Sequence, residues 1–176
     1  MKNILSQNIT KEEENWYVLT TKPKHEKKVC YGLTNLDIIN YLPLQKQQRI
    51  WHDRKKWVET VLFPSYIFIK IDKKSKNKVF EIDGIVKYIS TAGKAAILKE
   101  EEIERIKRLS SYLGEIEIAK SNIEIGEEVE IIAGHFKGIR GKVVSIRGKY
   151  KLSIAIPAIG SCAKIEIEKE QIQKAM

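Results

Sequence analysis

The apolar positions of this chain fall into two patterns that meet at about residue 114. In the first, strand and helix periods take turns. Asn15-Trp16-Tyr17-Val18-Leu19-Thr20-Thr21 is aromatic and β-branched and predicts a strand. Pro23 then stands at what reads as a first helical position, and Val29, Leu33 and Leu36 recur behind it at helical spacing. Ile38 to Leu44 predicts a second strand, and Gln45 to Thr60, polar, basic and interrupted by Trp51 and Trp57, reads as a protruding hairpin. Ser65 to Ile71 alternates and predicts a central strand, with Pro64 at its start, where proline is tolerated. Lys76 to Ile82 predicts a short helix ended by Asp83-Gly84, and Ile85 to Ile89 a further strand. Ile103, Ile106 and Leu109 follow Glu100-Glu101-Glu102, whose charge suits a helix N-terminus. The order β-α-β-β-α-β-α predicts an α+β unit, a small antiparallel sheet packed against helices.

Beyond it the pattern changes. Gly114 to Asn122 shows no strong period and reads as a linker. From Ile125 onward, short valine- and isoleucine-rich runs (129–133, 141–146, 151–156 and 164–167) alternate with turns at Gly134, Gly138, Gly148 and Gly160. Closely spaced short strands with glycine turns predict a small β-barrel. The expected organisation is a loose tail over 1–14, a first domain over 15–113, a linker over 114–122 and the barrel over 123–176.

Charge adds a second layer. The formal net charge of +9 is concentrated between Lys22 and Lys78, where 14 basic residues face five acidic ones. A localised positive field suits an approach to phosphates; a lysine-rich solvated surface has the same composition, and composition alone divides evenly between the two. No apolar run approaches the roughly 20 residues that span a bilayer, and the start Met1-Lys2-Asn3-Ile4-Leu5-Ser6-Gln7-Asn8 reads as no signal peptide. Cys30 and Cys162 lie far apart without metal-ligand spacing, so two unpaired thiols and a cytoplasmic protein are expected.

Catalysis needs convergent acids, bases or nucleophiles. His25, His52 and His135 fall in a basic helix start, a hairpin and a barrel turn, and no motif joins them to a serine, cysteine or carboxylate. The acidic runs read as solvated faces, and Gly138-Ile139-Arg140-Gly141 makes no phosphate loop. The chain reads as a binding protein, not an enzyme, with no cofactor and no metal. Trp51 and Trp57 among Arg49, Arg54, Lys55 and Lys56 admit two readings: a platform for bases and phosphates, or the hairpin's own cross-strand aromatics, the second slightly preferred. Phe68 reads as core, whereas Phe63 and Tyr66 read as exposed anchors of an interface. Lys22, Lys24, His25 and Lys28 gather at a helix N-terminus, which favours anions.

Leu62-Phe63-Pro64-Ser65-Tyr66, running into Ile67-Phe68-Ile69, resembles the F-P-[GN]-Y-[VL] motif of the NusG family of transcription elongation factors. Trp16-Tyr17-Val18-Leu19 is similar to that family's opening strand and Gly84-Ile85-Val86 to its following G-V segment. Gly126, Val129, Gly134, Phe136, Gly138, Gly141 and Val143 stand where an SH3-like KOW barrel has them. The resemblance implies a NusG N-terminal domain followed by a KOW domain. It implies a monomeric cofactor of RNA polymerase whose N-terminal domain sets a pocket on the clamp helices of the largest subunit. The matching positions are Thr20, Leu44, Phe63, Tyr66 and Phe68, with Lys76, Asn77 and Lys78 near the second large subunit. Ser65 replaces the usual glycine and His135 the usual proline of the KOW signature. Ile159-Gly160-Ser161 lacks the aromatic and arginine of an F-G-R element that serves termination factor Rho or a ribosomal protein. The gap-free spacing from Trp16 to Phe63 looks more like specialised antitermination paralogues of the RfaH and UpxY type. In those, Lys22, Lys24, His25 and Lys28 would face the non-template DNA strand. A general NusG housekeeping factor is the alternative, and a ribosome-associated KOW RNA-binding protein the alternative of another class.

Overall fold

A computed structural model of the chain describes residues 13–51, 54–120, 126–146 and 150–175. Most of the expected tail, His52, Asp53, the end of the expected linker and the turn at Gly148 lie outside the described residues. The first strand, β1 (Asn15–Thr21), is buried on both faces along most of its length. That explains its continuous apolar run: Tyr17 and Leu19 join one core cluster, Trp16 and Val18 another. A helix, α1 (Glu26–Asn35), covers the first face with Val29 and Leu33. It begins three residues later than Pro23 because Lys24 adopts φ +64°, a left-handed conformation that no right-handed helix contains.

The expected strand over 38–44 divides into β2 (Ile39–Tyr41) and the start of β3 (Leu44–Trp51), with Leu42-Pro43 between them. The hairpin expectation holds: β3 pairs with β4 (Arg54–Val61) in a ribbon of its own. The central strand, β5 (Tyr66–Ile71), lies between β1 and β2, antiparallel to both. Residues Ser75–Glu81 form a 3₁₀ helix rather than an α-helix, and β6 (Ile85–Tyr88) pairs with the far side of β1. Two strands too short to show a period follow, β7 (Ser90–Thr91) and β8 (Lys94–Ala95), then β9 (Ile97–Leu98) on β1. The main sheet thus runs β2-β5-β1-β6.

The second helix, α2 (Glu100–Ser111), closes the other face of the sheet. Ile103, Ile106 and Leu109 are 0–1% exposed and share a cluster with Trp16, Val18 and Phe68. Burying each such side chain favours folding by about 1.5–3 kcal/mol. The acidic start is more than a solvated face. The Glu102 carboxylate accepts the Lys99 backbone N–H at 2.9 Å, and Glu100 accepts the Trp16 indole N–H at 2.8 Å.

The expected linker is in part a strand. β10 (Ile116–Lys120) pairs with β14 (Ser161–Ile167), setting Ile116 against Ile165 and Ile118 against Ala163. Its alternation is only five residues long and its partner lies some 45 residues onward, so the local pattern is weak. The strands β11 (Glu128–Ile131), β12 (Arg140–Ile146), β13 (Tyr150–Ile156) and β14 follow as the valine and isoleucine runs predict, and β15 (Ile172–Lys174) adds to β11. Their order is β10-β14-β13-β12-β11-β15, all antiparallel. A Cβ at Gly141 would meet the Ser153 carbonyl at 2.7 Å, so close strand crossing requires glycine there. Among the described residues no helix is long and apolar enough to cross a membrane.

Candidate functional site

The corner where β1, α1 and the turn before β5 converge carries most of the singled-out residues. Leu62 to Ser65 leave β4 and turn into β5, with Ser65 at φ +67°. That left-handed turn is where glycine is at ease, and here serine occupies it under strain. Glu26, in the first turn of α1 and only 6% exposed, accepts the Ser65 backbone N–H at 2.8 Å. Thr21 N–H donates to the Ser65 carbonyl at 2.9 Å and completes the clamp. The Thr21 hydroxyl is buried without a hydrogen-bond partner among the described residues.

This clamp divides the aromatic motif. Phe63 is 1% exposed and Phe68 is fully buried, both in the α2-side core. The core reading of Phe68 therefore stands. The reading of Phe63 as an exposed anchor does not, because the turn folds it inward beneath the sheet face. Tyr66 is half-buried and lies directly opposite half-buried Thr20, whose hydroxyl donates to the Lys87 carbonyl at 3.2 Å. Leu44 packs instead with the α1-side cluster, on the other face of the sheet from Phe68. The expected set is thus drawn apart: Thr20 and Tyr66 form a surface pair, Phe63 and Phe68 its foundation, and Leu44 lies elsewhere.

The lysine set is brought together, but not left free. Lys22 and Lys28 donate to the two oxygens of Asp83 at 3.1 and 2.9 Å. These hydrogen bonds, Lys28 first, and the two positive charges lower the Asp83 pKa from 3.8 to about 2. Lys24 is exposed, and His25 stands at the N-cap position of α1 without a side-chain cap bond, its Nδ1 3.0 Å from the Pro23 carbonyl. In the 3₁₀ helix, Asn77 and Lys78 are exposed, but Lys76 is folded inward. Its ammonium sits 4.4 Å from the Tyr17 ring centre and 4.8 Å from that of Tyr88, and burial lowers its pKa.

The glycine-rich barrel turn meets the end of α2. Arg108 donates to the carbonyls of His135 and Lys137 at 2.6 and 2.9 Å. His135 Nε2 lies 2.7 Å from the Arg108 carbonyl and so carries the proton there. Phe136, 4% exposed, packs its ring 4.8 Å from that of Tyr112, and Gly134 and Gly138 bracket the turn at φ +80° and +83°. Sequence reasoning missed Arg108 and Glu26, since nothing in their spacing marks them. The one available signal was Ser65 standing where the motif wants glycine.

Among the described residues no group of three or more His, Cys, Asp or Glu could hold a metal ion. Cys30 and Cys162 are free thiols, and burial pushes that of Cys30 up. The geometry is an α+β sheet unit with an aromatic surface turn, whose second helix meets a turn of the barrel. Residues 14–107 match the family model NusG, described as transcription termination factor nusG, and the chain belongs to the NusG family. It is 27% identical to the transcription termination/antitermination protein NusG of Borreliella burgdorferi, over 90% of this chain and 97% of that one. Identity to the protein of the same name from Thermus thermophilus is 26%, over 91% and 98%. A solved structure of Thermotoga maritima NusG, concerned with domain interaction in that protein, shares the fold. Its TM-score is 0.60 at 20% identity, covering 93% of this chain and 98% of that one. The chain is a NusG-type transcription factor.

Proposed function

We propose that this protein binds RNA polymerase through the Tyr66–Thr20 surface and promotes processive transcription, suppressing pausing and termination on selected operons. The observation that carries this reading is the half-buried Tyr66–Thr20 pair, set at the start of β5 between Phe63 of the turn and Phe68 of the strand, both locked in the core. An aromatic held rigidly at a surface loses little entropy on docking. The clamp helices of the largest subunit are the partner of that pair, and Asn77 and Lys78 face the second subunit. Binding the closed, elongating polymerase in preference to the paused one is enough to favour elongation. Contact with non-template DNA falls to Lys24 and His25, with Lys22 and Lys28 behind Asp83. The protein acts in the cytoplasm as a monomer, without catalysis, cofactor or metal, and its barrel is the surface left for Rho or a ribosomal protein. The domain division at 15–113 and 123–176 is part of the same proposal.

Tyr66→Ala weakens binding to the matching polymerase about tenfold or more, in the range of interface aromatics; unchanged affinity would sink the pocket assignment. Transcription through pause sites on several leader templates then decides how selective the protein is. Shortened pauses on one or a few leaders fit the specialised role. A general elongation factor is the second reading, favoured by matches along nearly the whole length of relatives named NusG, and it requires uniform acceleration on every template.

A further inference from the structure

The β3–β4 ribbon is left over by the corner and the barrel alike. Its register sets Lys46 opposite Glu59, Gln48 opposite Trp57 and Ile50 opposite Lys55. All six of these residues are exposed, Trp57 by 56% and Ile50 by 79%. At its base the ribbon's other face is anchored: Gln45, 1% exposed, donates to the carbonyls of Tyr112 and Gly114 at 3.3 and 2.9 Å. The ribbon is therefore fixed to the body of the protein at its base, and the face of Trp57 is exposed beyond it.

The register does not set the two tryptophans, read as the hairpin's own cross-strand aromatics, against each other. Trp51 stands opposite Arg54, and Trp57 opposite Gln48, three positions away on β3. The Trp57 side chain is 56% exposed. Among the described residues the one ion pair across this face is Lys46 with Glu59, at 4.0 Å. On this face Lys55 has no ion-pair partner among the described residues, whereas Arg54 and Lys56 alternate onto the opposite face. An exposed indole beside an unpaired lysine, with a second lysine held only by a 4.0 Å ion pair, is what an unstacked base and its phosphates require. Lys55 lies two residues, about 6.8 Å, along the strand from Trp57, and Gln48 offers amide donors and an acceptor across from it. A duplex keeps its base faces stacked inside and has none to offer the indole.

We propose that this face binds single-stranded nucleic acid, with a base stacked on Trp57 and the neighbouring phosphates on Lys46 and Lys55. The site is separate from the polymerase surface, and its test needs no polymerase. Binding of the full chain to labelled oligothymidylate and oligouridylate is measured against a duplex of equal length. Trp57→Ala weakens single-strand binding by about 5- to 100-fold, Trp57→Phe keeps most of it, and Lys55→Ala lowers the salt slope by about 0.7. Preference for the RNA strand makes the transcript the ligand; equal or better DNA binding makes it an unpaired DNA strand. Unchanged affinity in Trp57→Ala overturns the proposal, as does a duplex that competes as well as the single strand. Loss of polymerase binding in Trp57→Ala, with oligonucleotide affinity intact, overturns it in favour of a protein partner.

Discussion

The β1–α1 corner and the β3–β4 ribbon are both rich in lysine and both carry aromatics, yet they are opposite kinds of surface. At the corner nearly every group has an internal partner. Phe63 is in the core, the Ser65 N–H is held by Glu26, and Lys22 and Lys28 share Asp83. On the open face of the ribbon, Trp57 and Lys55 have none among the described residues. A count of positive residues therefore overstates what the corner offers an anion and understates what the ribbon offers. Surface ion pairs such as those to Asp83 add little to stability, but they do set the charge an approaching phosphate meets.

The largest expected contrast is between the two aromatics. Phe63→Ala lowers the unfolding free energy by about 3–5 kcal/mol, whereas Trp57→Ala stays within about 0.5 kcal/mol of the parent. Urea unfolding of the two variants checks this, and equal losses would erase the distinction between a finished corner and an open ribbon. Next in size is Ser65→Gly. It relieves a left-handed serine and raises stability by about 1 kcal/mol; a loss would mean the Ser65 side chain contributes more than the strain costs.

The smallest effect sharpens the electrostatic side. Asp83→Asn frees Lys22 and Lys28, and steepens the salt dependence of single-strand binding at the corner by up to about 1.4. An unchanged slope would show that the corner does not meet phosphates. The same pair of contacts predicts a pH response. The Asp83 carboxyl is held at about 2 in the folded protein, below its ordinary 3.8. Its contribution to stability is present above 3.8 and is lost as pH falls through about 2. A carboxyl-carbon NMR titration places its midpoint near 2, and Lys28→Ala moves it upward.

What could be read from the residues follows the range of each signal. The α2 stripe of Ile103, Ile106 and Leu109 declares itself within seven residues, and so does β5. The hairpin was legible from its polar, basic run, though not its register, and β10 was lost because five residues at a sheet edge carry a short alternation. Phe63 and Tyr66 stand three residues apart in one motif, and only the left-handed turn between them sends one inward and leaves the other at the surface.

By itself the sequence determined the α+β unit and barrel and the site of the positive charge, because periods, glycine turns and composition are written in neighbouring residues; the family came from the resemblance of its short motifs. The tertiary structure alone decided which of those charges remain available. Asp83 reaches Lys22 across 61 residues and Glu26 reaches Ser65 across 39. Pairings of that span depend on where turns and strand registers bring the chain, and no local pattern encodes them.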